Sequence, residues 1–351
     1  MGTTKIELAA LTLPELKTWL TGQGQQAFRA DQIYRWLHKN PVDSFEEMTN
    51  LSKPLRALLS QQAQLFSVNI EKKLVSSIDG TVKYLYRLHD GNFVETVVMH
   101  YRHGTSICIS TQVGCKMGCS FCASTKAGFV RNLTAGEMLW EIYRAEQDLG
   151  KPIHSVVLMG IGEPMDNYDN VLRFLQLLSS PEGRGLSLRH VSLSTCGVVP
   201  MIDRLAEERL QLTLSVSLHA AFDEKRDRLM PVNRRYPLKE LLAACRRYAD
   251  KTGRRISFEY ILIDGVNDTP QDAAQLCRIL HGMLCHINLI PANGVKEWQG
   301  RGSTVPAANR FAALLTEKGM NATIRRRMGS DIEAACGQLR REREEAQKGG
   351  V

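Results

Sequence analysis

Residues 107–122, ICISTQVGCKMGCSFC, join a short apolar segment rich in β-branched residues to three closely spaced cysteines. The cysteines are Cys115, Cys119 and Cys122, in the spacing C-x3-C-x2-C. Three thiols on one loop indicate a metal centre. A structural zinc site normally adds a fourth Cys or His. Three cysteines on a [4Fe–4S] cluster instead leave one iron open for a ligand. The spacing therefore favours a catalytic cluster, with structural zinc as the alternative.

Around this loop, short apolar runs alternate with amphipathic stretches. The predicted strands span residues 107–111, 154–160, 190–196, 212–218, 256–263 and 286–290. The predicted helices span residues 134–149, 170–178, 201–208, 238–250, 270–280 and 311–318, and an extended segment follows at 322–326. Such alternation predicts a parallel sheet with right-handed crossovers. We therefore expect an α/β fold, a (β/α)6 partial TIM barrel, with a doubly wound sheet as the alternative.

The flanking segments differ in character from this core. Residues 1–64 have helical spacing and predict a small helical domain, whereas residues 65–100 are rich in Val, Ile, Thr and Tyr and predict a small antiparallel β extension. The core then covers residues 101–339, and residues 340–351 (RREREEAQKGGV) form a charged C-terminal tail. We therefore expect three structured units and a frayed end.

Composition excludes several classes of protein. The 351 residues are 43% hydrophobic and 23% charged, an ordinary globular balance. No apolar run reaches the length of about 18 residues that a membrane span needs, and the N-terminus lacks a signal-peptide core. We therefore expect a cytoplasmic protein. Its net charge of +8 allows a polyanionic partner, and nine cysteines argue for metal or redox chemistry rather than a disulfide framework.

Polar residues follow several predicted strands. Gly162 and Glu163 follow the second strand, Ser194 lies at the end of the third, and Ser217, Leu218 and His219 lie at the end of the fourth. Asn293 follows the sixth. In barrels of this type the site lies at the C-terminal ends of the strands. Each residue alone is more often a cap or turn, but together they predict a cofactor rim.

The cysteine spacing, with Phe121 before the third cysteine, resembles the radical S-adenosylmethionine (SAM) superfamily. Further motifs resemble the RlmN/Cfr family of radical SAM RNA methyltransferases over nearly the whole chain. They are Phe28-Arg29-Ala30-Asp31-Gln32, residues 159–164 (MGIGEP), 193–195 (LST), 217–219 (SLH), 287–291 (INLIP) and 331–339 (DIEAACGQL). This resemblance implies the partial barrel predicted from the strand count.

The resemblance also implies the cofactors. One [4Fe–4S] cluster per subunit would be held by Cys115, Cys119 and Cys122, with SAM on the fourth iron. One electron from the cluster would cleave this SAM to a 5′-deoxyadenosyl radical. The SAM contacts carried over from the family are Gly162, Glu163, Ser194, Ser217, Leu218, His219 and Asn293.

Three catalytic residues are implied in the same way. Cys336 would take a methyl group from one SAM, lose hydrogen to the radical from a second, and add to an adenine carbon. Cys108 would then attack the Cys336 sulfur and release the methylated RNA with a transient disulfide. Glu95 would be the general base. From the residues alone, Cys336 and Cys108 are packed thiols and Glu95 is a solvent-facing strand glutamate.

The implied substrates are one adenine of 23S rRNA, methylated at carbon 2, and the adenosine 3′ of the tRNA anticodon. Pro164 favours this reaction over the C8-methylating branch of the family. We expect RNA contacts from the helical domain and from Arg184, Arg189, Arg234, Arg235 and residues 325–327. The implied electron donor is a flavodoxin or ferredoxin, and a monomer is the default. The alternatives are a radical SAM enzyme for a small molecule and a non-enzymatic Fe–S RNA-binding protein.

Overall fold

The computed structural model describes residues 5–292, 300–332, 339, 340 and 343. Its N-terminal part is mainly helical. The elements there are β1 (Ile6–Glu7), α1 (Leu13–Gly22), α2 (Phe28–His38), α3 (Lys53–Gln62) and β2 (Ala63–Gln64). Helix α1 begins with a capping box between Thr12 and Glu15, and Ser52 caps α3. The predicted helical character of this segment is confirmed.

The β extension continues directly into the barrel sheet. It consists of β3 (Asn69–Val75), β4 (Val82–Arg87) and β5 (Phe93–Tyr101). Strand β5 pairs antiparallel with β6 (Gly104–Cys108), the first strand of the barrel. The extension and the barrel therefore share one ten-stranded sheet. Where the two units divide stays a prediction.

The other elements of the core follow β6 along the chain. They are β7 (Gln112–Val113), β8 (Arg131–Asn132), α4 (Ala135–Leu149), β9 (Ser155–Leu158), α5 (Tyr168–Ser179), β10 (Val191–Thr195), α6 (Val199–Glu207), β11 (Thr213–Ser217), α7 (Asp223–Leu229), α8 (Leu238–Thr252), β12 (Ile256–Leu262), α9 (Pro270–Leu280), β13 (Cys285–Pro291), α10 (Val305–Glu317) and β14 (Ala322–Ile324). Strands β6, β9, β10, β11, β12, β13 and β14 are neighbours in that order and pair in parallel. The order never reverses as it does in a doubly wound sheet, so the partial barrel is confirmed.

The first barrel strand lies earlier than predicted. Expected at residues 107–111, it is observed at Gly104–Cys108. Ile109 N–H still donates to Val157 O at 3.0 Å, but Thr111 N–H turns to Ile161 O at 2.8 Å. The chain leaves the ladder here because Gln112 and Val113 pair with β8 instead.

The two faces of the barrel strands differ in polarity. Leu193, Val216 and Phe258 point to the helices and lie in the main hydrophobic core. Alternate positions carry polar residues, and the hydroxyl groups of Ser192 and Ser215 lie 3.1 Å apart across β10 and β11. Strand periodicity therefore builds an apolar outer layer and a polar interior. No helix in the described residues is long and apolar enough to cross a membrane.

Candidate active site

The cysteine loop is closed at its base by a two-stranded ribbon. Val113 pairs with Arg131, and Val130 N–H donates to Val113 O at 2.8 Å. Gly114, at φ +80°, passes so close to Gly128 that a Cβ would lie 1.7 Å from its carbonyl oxygen. Only glycine fits this crossing. The ribbon thus holds the three cysteines on a short, fixed loop.

The three thiols lie close enough to influence one another. Cys115 and Cys119 are buried and Cys122 is half-buried. Burial raises the pKa of Cys115 to about 12, and the neighbouring Cys122 thiol and Glu163 carboxylate add to the shift. Burial also raises the pKa of Cys119. Bare thiols here stay protonated, whereas bound iron would supply the positive charge that thiolates need.

The surroundings of the cysteines fit an iron–sulfur cluster. An apolar group packs around Cys119: Met117, Phe121, Cys196, Ala220, Leu229, Met230, Ile263 and Ala292. Among the described side chains, no three His, Cys, Asp or Glu donors gather around one point as ligands of a single ion. The ligands of a cubane cluster sit on separate irons and require no such common point.

The loop after β9 lies against the base of the cysteine loop. Gly162 has φ +112°, and a Cβ there would lie 2.8 Å from Gln112 N. The Glu163 N–H donates to Gln112 Oε1 at 2.8 Å. Gln112 Nε2 in turn donates to Asp166 Oδ2 at 2.8 Å. One glutamine thus joins the two loops.

Glu163 also braces the end of the next strand. Its buried carboxylate accepts hydrogen bonds from Met165 N at 3.0 Å and from Cys196 N at 2.7 Å. Burial raises the pKa of Glu163, and the Cys196 N–H counteracts that shift. Both oxygens therefore contact the backbone, and the expected ammonium contact would be an additional interaction.

His219 has a constrained backbone and a defined tautomer. Its φ is +58°, and the Asn267 side chain donates to its carbonyl oxygen at 2.7 Å. Nδ1 accepts from Ile261 N at 3.1 Å. Burial, with the charge of Arg226, lowers the pKa of His219 to about 3. The imidazole is neutral, and its proton is on Nε2. The ring lies edge-on to Phe121 with centroids 5.0 Å apart.

Sequence reasoning missed Arg226, a fully buried residue of α7. Its guanidinium donates to the carbonyl oxygens of Leu218 at 3.0 Å, Cys196 at 2.8 Å and Ser217 at 3.0 Å. It also reaches Asn233 Oδ1 at 2.8 Å. Arg226 therefore ties together the ends of β10 and β11. Within the charged string DEKRDRL, nothing in the sequence distinguishes it from a surface residue.

Glu259 was missed as well. It lies on β12 and accepts from Asn288 Nδ2 at 2.6 Å and from Ser257 Oγ at 3.0 Å. Burial raises its pKa. In the sheet Glu259 pairs with Ser217 of β11. Its only sequence signal is a carboxylate within an apolar strand.

Cys108 and Glu95 share one face of the sheet. Val97 on β5 pairs with Cys108 on β6, and Glu95 is two residues before Val97. Cys108 is buried and packs with Val97, Met99 and other apolar side chains. The prediction that Cys108 is buried is confirmed.

The expectation that Glu95 faces solvent was wrong. Its side chain is fully buried, and Oε2 lies 3.1 Å from Nζ of Lys83. Its other oxygen accepts from Arg340 N at 2.7 Å. Leu339 packs on Leu85 and Phe93 of the same face. Leu339 and Arg340 therefore cover a face of β4 and β5 that the alternating strand pattern alone predicts to be open to solvent.

The predicted site residues thus fall into two groups and an undescribed remainder. The cysteine loop, Gly162, Glu163, Ser194, Ser217, Leu218 and His219 lie at the carboxyl ends of neighbouring strands. Cys108 and Glu95 lie together on β6 and β5. Cys336 and Asn293 fall outside the described residues. Of the proposed RNA contacts, Arg184 bonds Glu146 and Ile153 O internally, whereas Arg189, Arg234 and Arg235 are exposed.

The chain is similar to known proteins over nearly its whole length. Residues 6–65 match the ribosomal RNA large subunit methyltransferase N-terminal domain, and residues 109–277 match the radical SAM superfamily. The protein named "Probable dual-specificity RNA methyltransferase RlmN" from Lachnoclostridium phytofermentans is 53% identical over 339 residues, 97% of this chain and 95% of the relative. The protein of that name from Clostridium perfringens strain 13 is 53% identical over 330 residues, 94% of this chain and 95% of the relative.

A solved structure is similar as well. It is a radical SAM methyltransferase from Sphaerobacter thermophilus, with a TM-score of 0.90 and 45% sequence identity. The match covers 95% of this chain and 98% of that one. Similarity therefore extends over the helical domain, the β extension and the barrel together.

Proposed function

The chain belongs to the RlmN family of radical SAM RNA methyltransferases, and from this membership we propose that it methylates carbon 2 of adenine in RNA. The substrates are one adenine of 23S rRNA and the adenosine 3′ of the tRNA anticodon. The reaction consumes two SAM molecules and passes through S-methylated Cys336. The protein works in the cytoplasm as a monomer with a flavodoxin or ferredoxin as electron donor.

One observation carries this proposal. Arg340, four residues after Cys336, is hydrogen-bonded to Glu95 through its backbone N–H, and Glu95 shares a sheet face with Cys108. Four residues span at most about 14 Å. The contact between Arg340 and Glu95 therefore supports assigning Cys336 to the same site as Glu95 and Cys108.

The cofactor residues support the same reaction. Cys115, Cys119 and Cys122 would hold the cluster, and Gly162, Glu163, Ser194, Ser217, Leu218, His219 and Asn293 would bind SAM. SAM bound at the cluster supplies the hydrogen-atom abstraction that activates the methyl group on sulfur. This chemistry is needed because the carbon between the two ring nitrogens is electrophilic and does not attack SAM directly.

The two cysteines have separate roles. The Cys336 thiolate would accept the first methyl group by displacement at SAM, with S-adenosylhomocysteine as the leaving group. After losing one hydrogen atom to the radical from a second SAM, the methyl carbon would bond the adenine and leave one unpaired electron on the ring. Glu95 takes the proton from the ring carbon, and the unpaired electron would return to the cluster, which gave up one electron when SAM was cleaved. The Cys108 thiolate attacks the Cys336 sulfur, so that an S–S bond forms and the S–C bond breaks. The released carbon keeps the bonding electrons and gains a proton. A thiol reductant then restores both cysteines.

Nucleoside analysis tests the proposal. Protein reconstituted with iron and sulfide without oxygen is mixed with SAM, a reductant and a 23S rRNA fragment. The nucleosides are then compared with standards by mass spectrometry. We expect 2-methyladenosine, and none with Cys336→Ala. A product of 8-methyladenosine would assign the chain to the C8 branch, against Pro164. SAM cleavage with neither product would contradict the RNA substrate.

A further inference from the structure

A fully buried lysine–glutamate pair lies on the sheet face that carries Cys108. Lys83 on β4 and Glu95 on β5 both have no exposed side-chain area, and Nζ lies 3.1 Å from Oε2. In the antiparallel register Lys83 pairs with Val97, and Val97 pairs with Cys108. Lys83, Val97 and Cys108 therefore form one row across three strands, next to Glu95.

Resting on the proposed function, we propose that Lys83 is a positioning residue of the methylation site. Its ammonium group, 3.1 Å from Oε2, holds the Glu95 carboxylate in place to take the proton from the adenine carbon. Lys83 itself touches neither RNA nor SAM in this role.

Stability does not explain the pair. Removing two charges from water is costly, and two apolar side chains of similar volume generally serve a core as well or better. The neighbouring side chains Leu85, Phe93 and Val97 are apolar, and a neutral acceptor in place of Glu95 would be enough for the Arg340 N–H. A proton-transfer step that needs a carboxylate held in a fixed orientation within a dry pocket does explain the charged pair.

The other described ionisable groups near the pair do not supply the ammonium. Arg340 contacts Glu95 through its backbone N–H, while its guanidinium lies beside Gly114. Cys108 lies one strand away on the same face. Glu141 of α4 is behind the sheet, where it accepts hydrogen bonds from Thr96 and Ser110. Lys83 is thus the cation in contact with the carboxylate.

The proton transfer moves one proton from the ring carbon to Glu95 and no electrons. When Glu95 takes the ring proton, the electron pair of the C–H bond stays with the ring and the carboxylate becomes neutral. Lys83 contacts Oε2 of Glu95, and the Arg340 N–H contacts Oε1. Without Lys83, one of the two contacts that orient the carboxylate is lost. The proton transfer should therefore slow, while the earlier methylation of Cys336 should not.

The experiment compares Lys83→Met, which keeps the chain length without the charge, with Lys83→Arg, which keeps the charge. Lys72→Met, at an exposed position of the neighbouring β3, is the matched control, and Glu95→Gln is the reference. Each holoenzyme is examined for Cys336 methylation by intact mass and for RNA–protein adduct on denaturing gels. The rate of 2-methyladenosine formation is measured for every variant at the same pH.

With Lys83→Met we expect Cys336 methylation at the wild-type rate, accumulation of the adduct, and a rate of 2-methyladenosine formation about tenfold lower, part of the roughly 10²–10⁴-fold that a general base supplies. Lys83→Arg should restore most of that rate, and Lys72→Met should match wild type. An unchanged rate with Lys83→Met, or an equal loss in Cys336 methylation and in product formation, would overturn the role of Lys83. Should Lys83→Met fail to fold, a rate in Lys83→Arg as low as that of Glu95→Gln would overturn the role of the charge. Full product formation by Glu95→Gln would instead contradict the base assigned in the proposed function.

Discussion

At the scale of single residues, buried polar side chains hold the candidate SAM site in shape. Arg226 contacts three backbone carbonyls at the ends of β10 and β11. Asn267, fully buried, holds His219 and Ile261 through its amide N–H groups. Neither residue belongs to the cysteine motif. Because each satisfies several buried backbone groups, each determines where the motif residues lie.

The cysteines allow a residue-scale prediction with an internal control. Cys119 and Cys196 lie in one apolar cluster and are both buried. Only Cys119 belongs to the proposed ligand set. We expect Cys119→Ala to lose most of the iron after anaerobic reconstitution, and Cys196→Ala to retain it. Iron and sulfide analysis with the visible absorption of the cluster measures both.

Two results would contradict this ligand set. Full iron content in Cys119→Ala would show that Cys119 is not a ligand of the cluster. Loss of iron in Cys196→Ala would indicate a fourth cysteine ligand, and no iron would then be open for SAM. Thermal melting of both apoproteins checks that each variant is folded.

At the scale of elements, the β3–β4 turn fastens the segment before Cys336. Asp331 accepts from Ser76 Oγ at 2.6 Å and from Ser77 N at 2.8 Å. Asp79 of the same turn accepts from Gly329 N at 2.9 Å. Arg340 and Leu339 then dock on β4 and β5. The β extension therefore holds the chain on both sides of residues 333–338.

This arrangement predicts a slower first half-reaction when the turn contact is weakened. In Asp331→Asn, one of the two carboxylate oxygens is replaced by an NH2 group. That NH2 group cannot accept from Ser76 or Ser77, so one of these hydrogen bonds is lost. We expect Cys336 methylation to slow several-fold, measured by intact mass, with unchanged iron content. Asp250→Asn, at an exposed position on α8, should match wild type. Equal rates in the two variants would show that the turn does not position Cys336.

Glu7 joins the helical domain to the barrel and predicts a pH-dependent stability. Its Oε1 accepts from Thr134 Oγ1 at 3.0 Å. Burial, opposed by that bond, raises the pKa of Glu7 from 4.5 to about 7, with the Glu137 charge adding to the rise. The folded state thus favours the protonated form. Its stabilising contribution is complete below about pH 4.5 and is lost as the pH rises to about 7.

The corresponding experiment is urea unfolding between pH 4 and 8. The unfolding free energy of wild type, relative to that of Glu7→Gln, should fall by about 3 kcal/mol between about pH 4.5 and 7, at 1.36 kcal/mol per pKa unit. Above this range the difference should be constant. Glu46→Gln, at a side chain that is 72% exposed, should show no such trend. Parallel curves for wild type and Glu7→Gln would rule out a raised pKa.

At the scale of the whole molecule, part of the basic charge lies on the side of the barrel that carries the cysteine loop. Ser120 N–H in the cysteine loop donates to Leu229 O at 2.9 Å, and the turn after Leu229 leads to the exposed Arg234 and Arg235. These arginines therefore lie on the cysteine-loop side of the barrel. A +8 chain with exposed arginines there suits a polyanion.

RNA binding should accordingly depend on salt. A site that neutralises four phosphates of single-stranded RNA weakens about 50-fold between 50 and 200 mM salt. Arg234→Gln/Arg235→Gln should reduce the slope of log K against log salt by about 1.4, whereas Arg209→Gln/Lys251→Gln should leave it unchanged. The control pair lies at the strand-entry end, after α6 and within α8. Equal slopes in both double variants would place the RNA elsewhere.

Local patterns in the chain were enough to establish the cysteine loop and the alternation of strands and helices, because each depends on residues close in sequence. The strand positions also indicated which residues end strands, and hence predicted the candidate cofactor rim. The family resemblance, not local pattern, suggested Cys336, Cys108 and Glu95.

Tertiary structure alone decided the rest. Glu95 is buried because the segment at Leu339 and Arg340, about 245 residues away, covers its face, and no local pattern can report such a cover. The same holds for Lys83, whose ammonium lies 3.1 Å from the Glu95 carboxylate, and for Arg226, whose guanidinium contacts backbone carbonyl groups although it stands in a string of charged residues. A charged residue in a sequence does not by itself indicate whether its side chain is exposed or buried in contact with other groups. Its role depends on what the fold brings within hydrogen-bonding distance.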